Sequence, residues 1–178
     1  MSTKSEPVAT ATPSEEKKPK KPRATIEEFT FDRLSDVNAV KNEFTGGTNK
    51  FCLGCIPLAC CPEPESEYRS FFQTNPSALK LGAVALNEKG DVIGAVEMQE
   101  HGKPRPFFDS LLHSLKPKES YIAWLAVREG NRGRGAGSAL LKWCENTAKE
   151  RGNTHLTLGV VAGNPAKRLY ERKGFKTV

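Results

Sequence analysis

Arg132-Gly133-Arg134-Gly135-Ala136-Gly137 sits between an apolar, β-prone run ending at Val127 and a stretch whose apolar residues recur at helical spacing. Glycines on alternate residues let the main chain approach a ligand closely. A helix starting there adds unpaired N–H groups and a partial positive charge. The chemistry this suits is phosphate cradling, with Arg132 and Arg134 adding charge-assisted bonds. The alternative is a glycine-rich turn that only joins strand to helix. A loop for nucleoside triphosphates would end in Gly-Lys-Ser/Thr, whereas this one ends Ala136-Gly137-Ser138. A dinucleotide fingerprint would need G-x-G-x-x-G and an acidic residue closing the next strand. Here the glycines alternate and the next run ends Gly159-Val160-Val161, which argues against NAD.

The elements that must hold this loop follow from changes in apolar period. Thr25 to Phe31 is β-prone, and Ser35 is placed to cap a helix carrying Val37, Val40 and Phe44 that stops at Gly46-Gly47. Leu79 to Leu86 and Asp91 to Met98 flank Asn87-Glu88-Lys89-Gly90, which predicts a β-hairpin. Residues 101 to 119 mix three prolines with Phe107, Phe108, Leu111, Leu112 and Leu115 and predict a loop with short helical turns; Ser120 to Val127 predicts a strand. Gly137, Leu140, Leu141, Cys144 and Ala148 make one face of a helix that Gly152 can end in a left-handed cap. His155 to Val161 alternates as a strand, Asn164-Pro165 opens a helix through about Lys173, and Gly174-Phe175 begins an extended piece. The order is β-α, then β-β-β-α-β-α-β, with no internal repeat.

At these residues the chain resembles the GNAT acetyltransferase superfamily. The family's cofactor motif is matched by Arg132, Gly135 and Gly137 after the strand Ala123-Trp124-Leu125-Ala126-Val127. Its second motif is matched by Asn164, Ala166, Leu169-Tyr170-Glu171 and Gly174-Phe175. The matched core is residues 120 to 175, and the order of elements from about 25 to 100 is compatible with the family's first half. The resemblance implies an α+β fold: a central, mostly antiparallel twisted sheet flanked by helices. It also implies direct acetyl transfer from acetyl-coenzyme A to a primary amine, with a cofactor-binding module lacking catalysis as the alternative. The strand before the loop is expected to part from its neighbour, so that the main chain of Leu125, Ala126 and Val127 pairs with the pantetheine arm. The amide of Val127 or a neighbour would also polarise the thioester carbonyl. Amides of Gly133, Arg134, Gly135, Ala136, Gly137 and Ser138 would hold the pyrophosphate. Asn164 would bond the arm, and Tyr170 would protonate the leaving thiolate, unless it is merely a half-buried tyrosine packed on the sheet.

An ammonium nitrogen has no lone pair, so a group must take the amine's proton. Glu97, on the strand face assigned to Ile93 and Ala95, is the first candidate, ahead of Glu100, Glu119 and a water chain. A charged residue on a solvated strand face is the alternative. His101, His113 and His155 have no evident chemical task. The family usually adds a strand after the Gly-Phe phrase, whereas this sequence stops at Val178. The sheet is therefore expected to lack that strand or to take it from another chain, such as a second copy in a homodimer.

Composition sets the limits. The chain has 178 residues, enough for one domain. The first 24 residues carry six basic and three acidic side chains, half of the formal charge of +6. They hold little that is apolar and read as a disordered Lys/Pro-rich tail before a domain over 25–178. The tail suits solvation, with nuclear import as the other use of its basic end, and the mild remaining charge argues against nucleic acid as the main partner. The longest apolar run, Tyr121 to Val127, has seven residues where a membrane span needs about 20. No secretory signal follows Met1, so a cytoplasmic location is expected. Cys52, Cys55, Cys60 and Cys61 read as an apolar thiol-rich loop, with a lid over the acceptor site, S-acylation and zinc as alternatives; no metal is expected.

Overall fold

The computed structural model describes residues 24–45, 63–105, 114–160 and 163–177. The basic tail and the four clustered cysteines lie outside the described residues. Strands β1 (Thr25–Glu28), β2 (Gly82–Leu86), β3 (Val92–Glu100), β4 (Glu119–Val127) and β5 (His155–Leu158) form one sheet in sequence order. The first three junctions are antiparallel, and β4 to β5 is parallel. Helices α1 (Leu34–Thr45) and α2 (Glu65–Thr74) pack on one face of the sheet. Helix α3 (Ala136–Glu150) packs on the other, beside α4 (Lys167–Arg172). This is the expected mostly antiparallel sheet between helices. No described helix is long and apolar enough to cross a membrane.

Two apolar clusters hold the layers. Phe29, Leu34, Val37, Val40, Tyr68 and Phe72 fill the α1/α2 face. Met98, Ile122, Leu140, Leu141 and Cys144 fill the α3 face, the last three from the helical stripe read in the sequence. Gly152 ends α3 with φ 76°, and Asn87 ties the hairpin by accepting the amides of Lys89 and Asp91. The differences lie at element ends. Ser35 does not cap α1, because a 3₁₀ turn over Phe31–Arg33 leads the chain into Leu34; the hydroxyl instead donates to Glu65 of α2. Residues Pro76–Leu81 are 3₁₀, so β2 begins only at Gly82, where the Phe29 ring occupies the place of a Cβ. Helix α2 was not expected at all. Tyr68 and Phe72, buried, and Phe71, half-buried, at i, i+4 and i+3, supply its apolar stripe. Among the described residues no strand follows α4, and β5 is an edge of the sheet.

Two irregularities shape the middle of the sheet. Ala85 faces Gly94 while Leu86 faces Val92, leaving Ile93 extra. This slip turns Ile93 onto the α3 side, away from Ala95 with which it was grouped. At Gly94 a Cβ would stand 2.8 Å from the Ala126 carbonyl of β4, a backbone atom that cannot step aside. Gly94→Ala is therefore expected to lower stability by about 1–3 kcal/mol, read as an earlier urea midpoint with unchanged slope. The second irregularity is in β4. Glu97 faces Trp124 but Met98 faces Ile122, so Ala123 is the extra residue of a β-bulge. Bulges bend the strand that carries them. Consistent with this, pairing of β4 with β5 runs from Glu119/His155 only to Ile122/Leu158 and stops there.

Candidate functional site

Among the described residues pairing between the two parallel strands ends at Ile122, leaving a fork beside residues 123–127. The Arg128 amide donates to the Ile93 carbonyl of β3. Main-chain groups alternate sides along a strand, so those of Trp124 and Ala126 also face β3, while those of Leu125 and Val127 face the fork. Ala126 thus drops out of the expected edge. Its main chain belongs to the sheet, and its side chain is buried on the α1/α2 face. Arg132 Nε donates 2.9 Å to the Val127 carbonyl, so that carbonyl is closed and the Val127 amide is what remains. The expected bond from Arg132 to phosphate is left to the rest of its guanidinium.

The glycine loop leads into α3 as the alternation suggested. Gly133 (φ 72°) and Gly135 (φ 94°) are left-handed, and the latter is the N-cap residue, so no side-chain oxygen caps the helix. The amide of Ala139 is the first to find a helical partner, at the Gly135 carbonyl. The N–H groups of Ala136, Gly137 and Ser138 therefore open a 15-residue helix without intrahelical acceptors. Their own positive end of the helix dipole lies beside exposed Arg132 and Arg134. That donor set suits a diphosphate.

Gly137 ties the loop to the fork. A Cβ there would meet Leu169 of α4 at 3.3 Å, Val127 at 3.8 Å and Leu125 at 3.9 Å. The strand edge, the amide cluster and α4 thus share one locality. Tyr170, next to Leu169, packs edge to face on Phe175 with ring centres 6.0 Å apart. Burial raises its phenol pKa, with a smaller push from Cys144, so it stays protonated at neutral pH. Asn164 lies one turn before α4, which starts later than expected. Its Oδ1 accepts the Ala166 amide at 2.9 Å. Cys144 beneath has its thiol pushed up to about 12 by burial, which suits the core role.

Glu97 is on neither a solvated face nor a merely apolar one. It is 5 % exposed, and its Oε2 accepts the Tyr68 hydroxyl at 3.0 Å and the Trp124 indole N–H at 2.9 Å. Burial and the carboxylate raise the Tyr68 phenol well above its ordinary pKa. Tyr68 and Lys41, whose ammonium lies 4.9 Å from the Tyr68 ring centre, are partners the sequence reading missed. The phrase Tyr68-x-x-Phe71-Phe72 was the signal available. Glu100 instead pairs with Arg151 on the α3 side, and Glu119 accepts the Thr157 hydroxyl, both in structural roles. His101 and His155 are exposed, and His113 lies outside the described residues.

A model of the Acetyltransferase (GNAT) family matches residues 53–175. No curated protein matches. Among solved structures, an N-acetyltransferase from Staphylococcus aureus Mu50 is similar at TM-score 0.65 and 22 % identity, over 86 % of this chain and 83 % of that one. A ribosomal-protein-alanine N-acetyltransferase from Brucella melitensis is similar at TM-score 0.62 and 22 % identity, over 84 % and 82 %. AAC(6')-Iy, in complex with the bisubstrate analog CoA-S-monomethyl-acetylneamine, is similar at TM-score 0.61 and 11 % identity, over 86 % and 91 %.

Proposed function

Because this chain belongs to the GNAT acetyltransferase family and is an acyltransferase, we propose that it moves an acetyl group from acetyl-coenzyme A directly to a primary amine on a small molecule or peptide. The observation that carries the reading is the fork: among the described residues the main-chain groups of Leu125 and Val127 have no strand partner, and they lie beside three helix-start amides without intrahelical acceptors. Fit to the cosubstrate rests on that pairing of features. An unladdered edge suits an amide-bearing arm, and the amide cluster suits a diphosphate. The thioester supplies an activated acyl group, which the amine takes as the carbon–sulfur bond breaks.

The chain's own residues do the rest. Gly133, Arg134, Gly135, Ala136, Gly137 and Ser138 hold the diphosphate with main-chain amides, and the Arg132 and Arg134 guanidiniums add charge. Leu125 and Val127 orient the arm, the Val127 amide stabilises developing charge on the carbonyl oxygen, and the Nδ2 of Asn164 bonds the arm from the opposite side of the fork. Tyr170 donates its proton to the departing thiolate. Glu97 accepts the amine's proton by way of water, since its carboxylate is buried behind Tyr68 and Trp124. The domain extends over 25–178, preceded by a Lys/Pro-rich basic segment.

The test is thiol release from acetyl-coenzyme A over a panel of small amines, lysine peptides and free N-terminal peptides. Amine-dependent release with acetylated product is expected for at least one class. Tight binding of acetyl-coenzyme A without turnover on any amine would overturn amine transfer, and absence of binding would overturn the cofactor reading.

A further inference from the structure

Glu97 is placed where the sheet decides whether a fork exists. It faces Trp124 across the β3–β4 junction at the last regular pair before the Ala123 bulge, and the indole N–H of Trp124 ends on its Oε2. The same oxygen holds the Tyr68 hydroxyl, so one carboxylate joins the bulged strand to helix α2. Lys41 of α1 places its ammonium over both rings, 4.9 Å from the centre of Tyr68 and 5.9 Å from that of Trp124, and is itself paired with Glu63. A buried carboxylate oxygen is costly to leave without its donors, so the indole is held in one orientation. Trp124 is the residue between the bulge and Leu125. Fixing its side chain on the α1/α2 face fixes the rotation of the strand that follows. That rotation directs the Leu125 and Val127 main chain into the fork.

We propose that Trp124 and Tyr68 are positioning residues for the cosubstrate arm, acting through Glu97 to hold the bulged strand in its open setting. The inference rests on the acetyl-coenzyme A reading of the cleft. It gives helices α1 and α2 a mechanical hold on the cosubstrate strand. Trp124 and Tyr68 themselves touch no reacting atom.

The test compares wild type with Trp124→Phe, Tyr68→Phe and Glu97→Gln. It uses calorimetric binding of acetyl-coenzyme A, steady-state kinetics over pH, and amide chemical shifts of Leu125 and Val127. Trp124→Phe keeps a ring but removes the donor. It is expected to weaken acetyl-coenzyme A binding about tenfold, raise KM in step, and move the Leu125 and Val127 amide signals. Tyr68→Phe, which removes one oxygen atom, is expected to act in the same direction by about threefold and keeps the test open should the tryptophan variant fold poorly. Glu97→Gln keeps an acceptor oxygen for both donors and is expected to bind within about twofold of wild type. Unchanged binding and unmoved amide signals in both aromatic variants would overturn the proposal. So would a shifted rate profile with unchanged binding, since the network would then serve the amine's proton alone. If wild type itself binds no acetyl-coenzyme A, the reading of the cleft falls first.

Discussion

Gly135→Val is expected to weaken acetyl-coenzyme A binding by at least about 100-fold, about 2.7 kcal/mol, while the protein stays folded. Gly135 sits at φ 94°, in the region a β-branched residue scarcely enters, so valine must pull the chain toward negative φ. Nothing lies within 4 Å of where the new Cβ would stand, so the cost is backbone strain and not a clash with the core. The chain relieves that strain by rotating the peptide planes of the loop, and those planes carry the amides of Ala136, Gly137 and Ser138. Three donors aimed at one diphosphate then lose their common focus. The midpoint of thermal unfolding should fall by only a few degrees, because the α3 stripe of Leu140, Leu141 and Cys144 is untouched. Calorimetric titration beside a melting curve checks both halves. Wild-type affinity in a folded Gly135→Val protein would remove the glycine loop from the binding site.

Tyr170→Phe tests the chemistry instead of the grip. The substitution keeps the ring that packs on Phe175 and removes only the hydroxyl, so KM for acetyl-coenzyme A should stay within about twofold. Loss of a general acid costs typically about 100-fold or more in kcat, which is the expected fall. The pH dependence has a definite sign. Burial raises the phenol above the ordinary tyrosine value of about 10, so the proton is available throughout the neutral range. Any alkaline decline due to this group belongs above that value and should vanish in the variant. A kcat near that of wild type would return Tyr170 to a packing role.

Residues 120 to 175 were legible because their signals are local. The glycine alternation, the helical stripe from Gly137 to Ala148 and the Asn164 turn each depend on neighbours within a few positions, and each was found close to where the sequence put it. The bulge was not legible. Tyr121 to Val127 is apolar throughout, so no alternation exists in which a slip could register. Tyr68 and Glu97 are 29 residues apart, and only the folded sheet makes them partners. Ser35 misled for a local reason: it is a good cap residue, but a 3₁₀ turn upstream had already started the helix. Residues 45–75 and 101–119 stayed largely unread for lack of any periodic or motif signal, and much of both stretches lies outside the described residues.

Ala123 changes the parity of its strand. Ile122 packs on the α3 side, yet Trp124 and Ala126, also even-numbered, pack on the other. Inside and outside are thus exchanged halfway along β4 by one unit of chain length, independently of what that unit's side chain is. Substitution at 123 leaves this count intact, whereas deletion would restore a single frame and force either Ile122 or the Trp124–Val127 segment to present the wrong surface. The opening in the sheet is thus a matter of chain count at position 123 as well as of the side chains that seat Trp124.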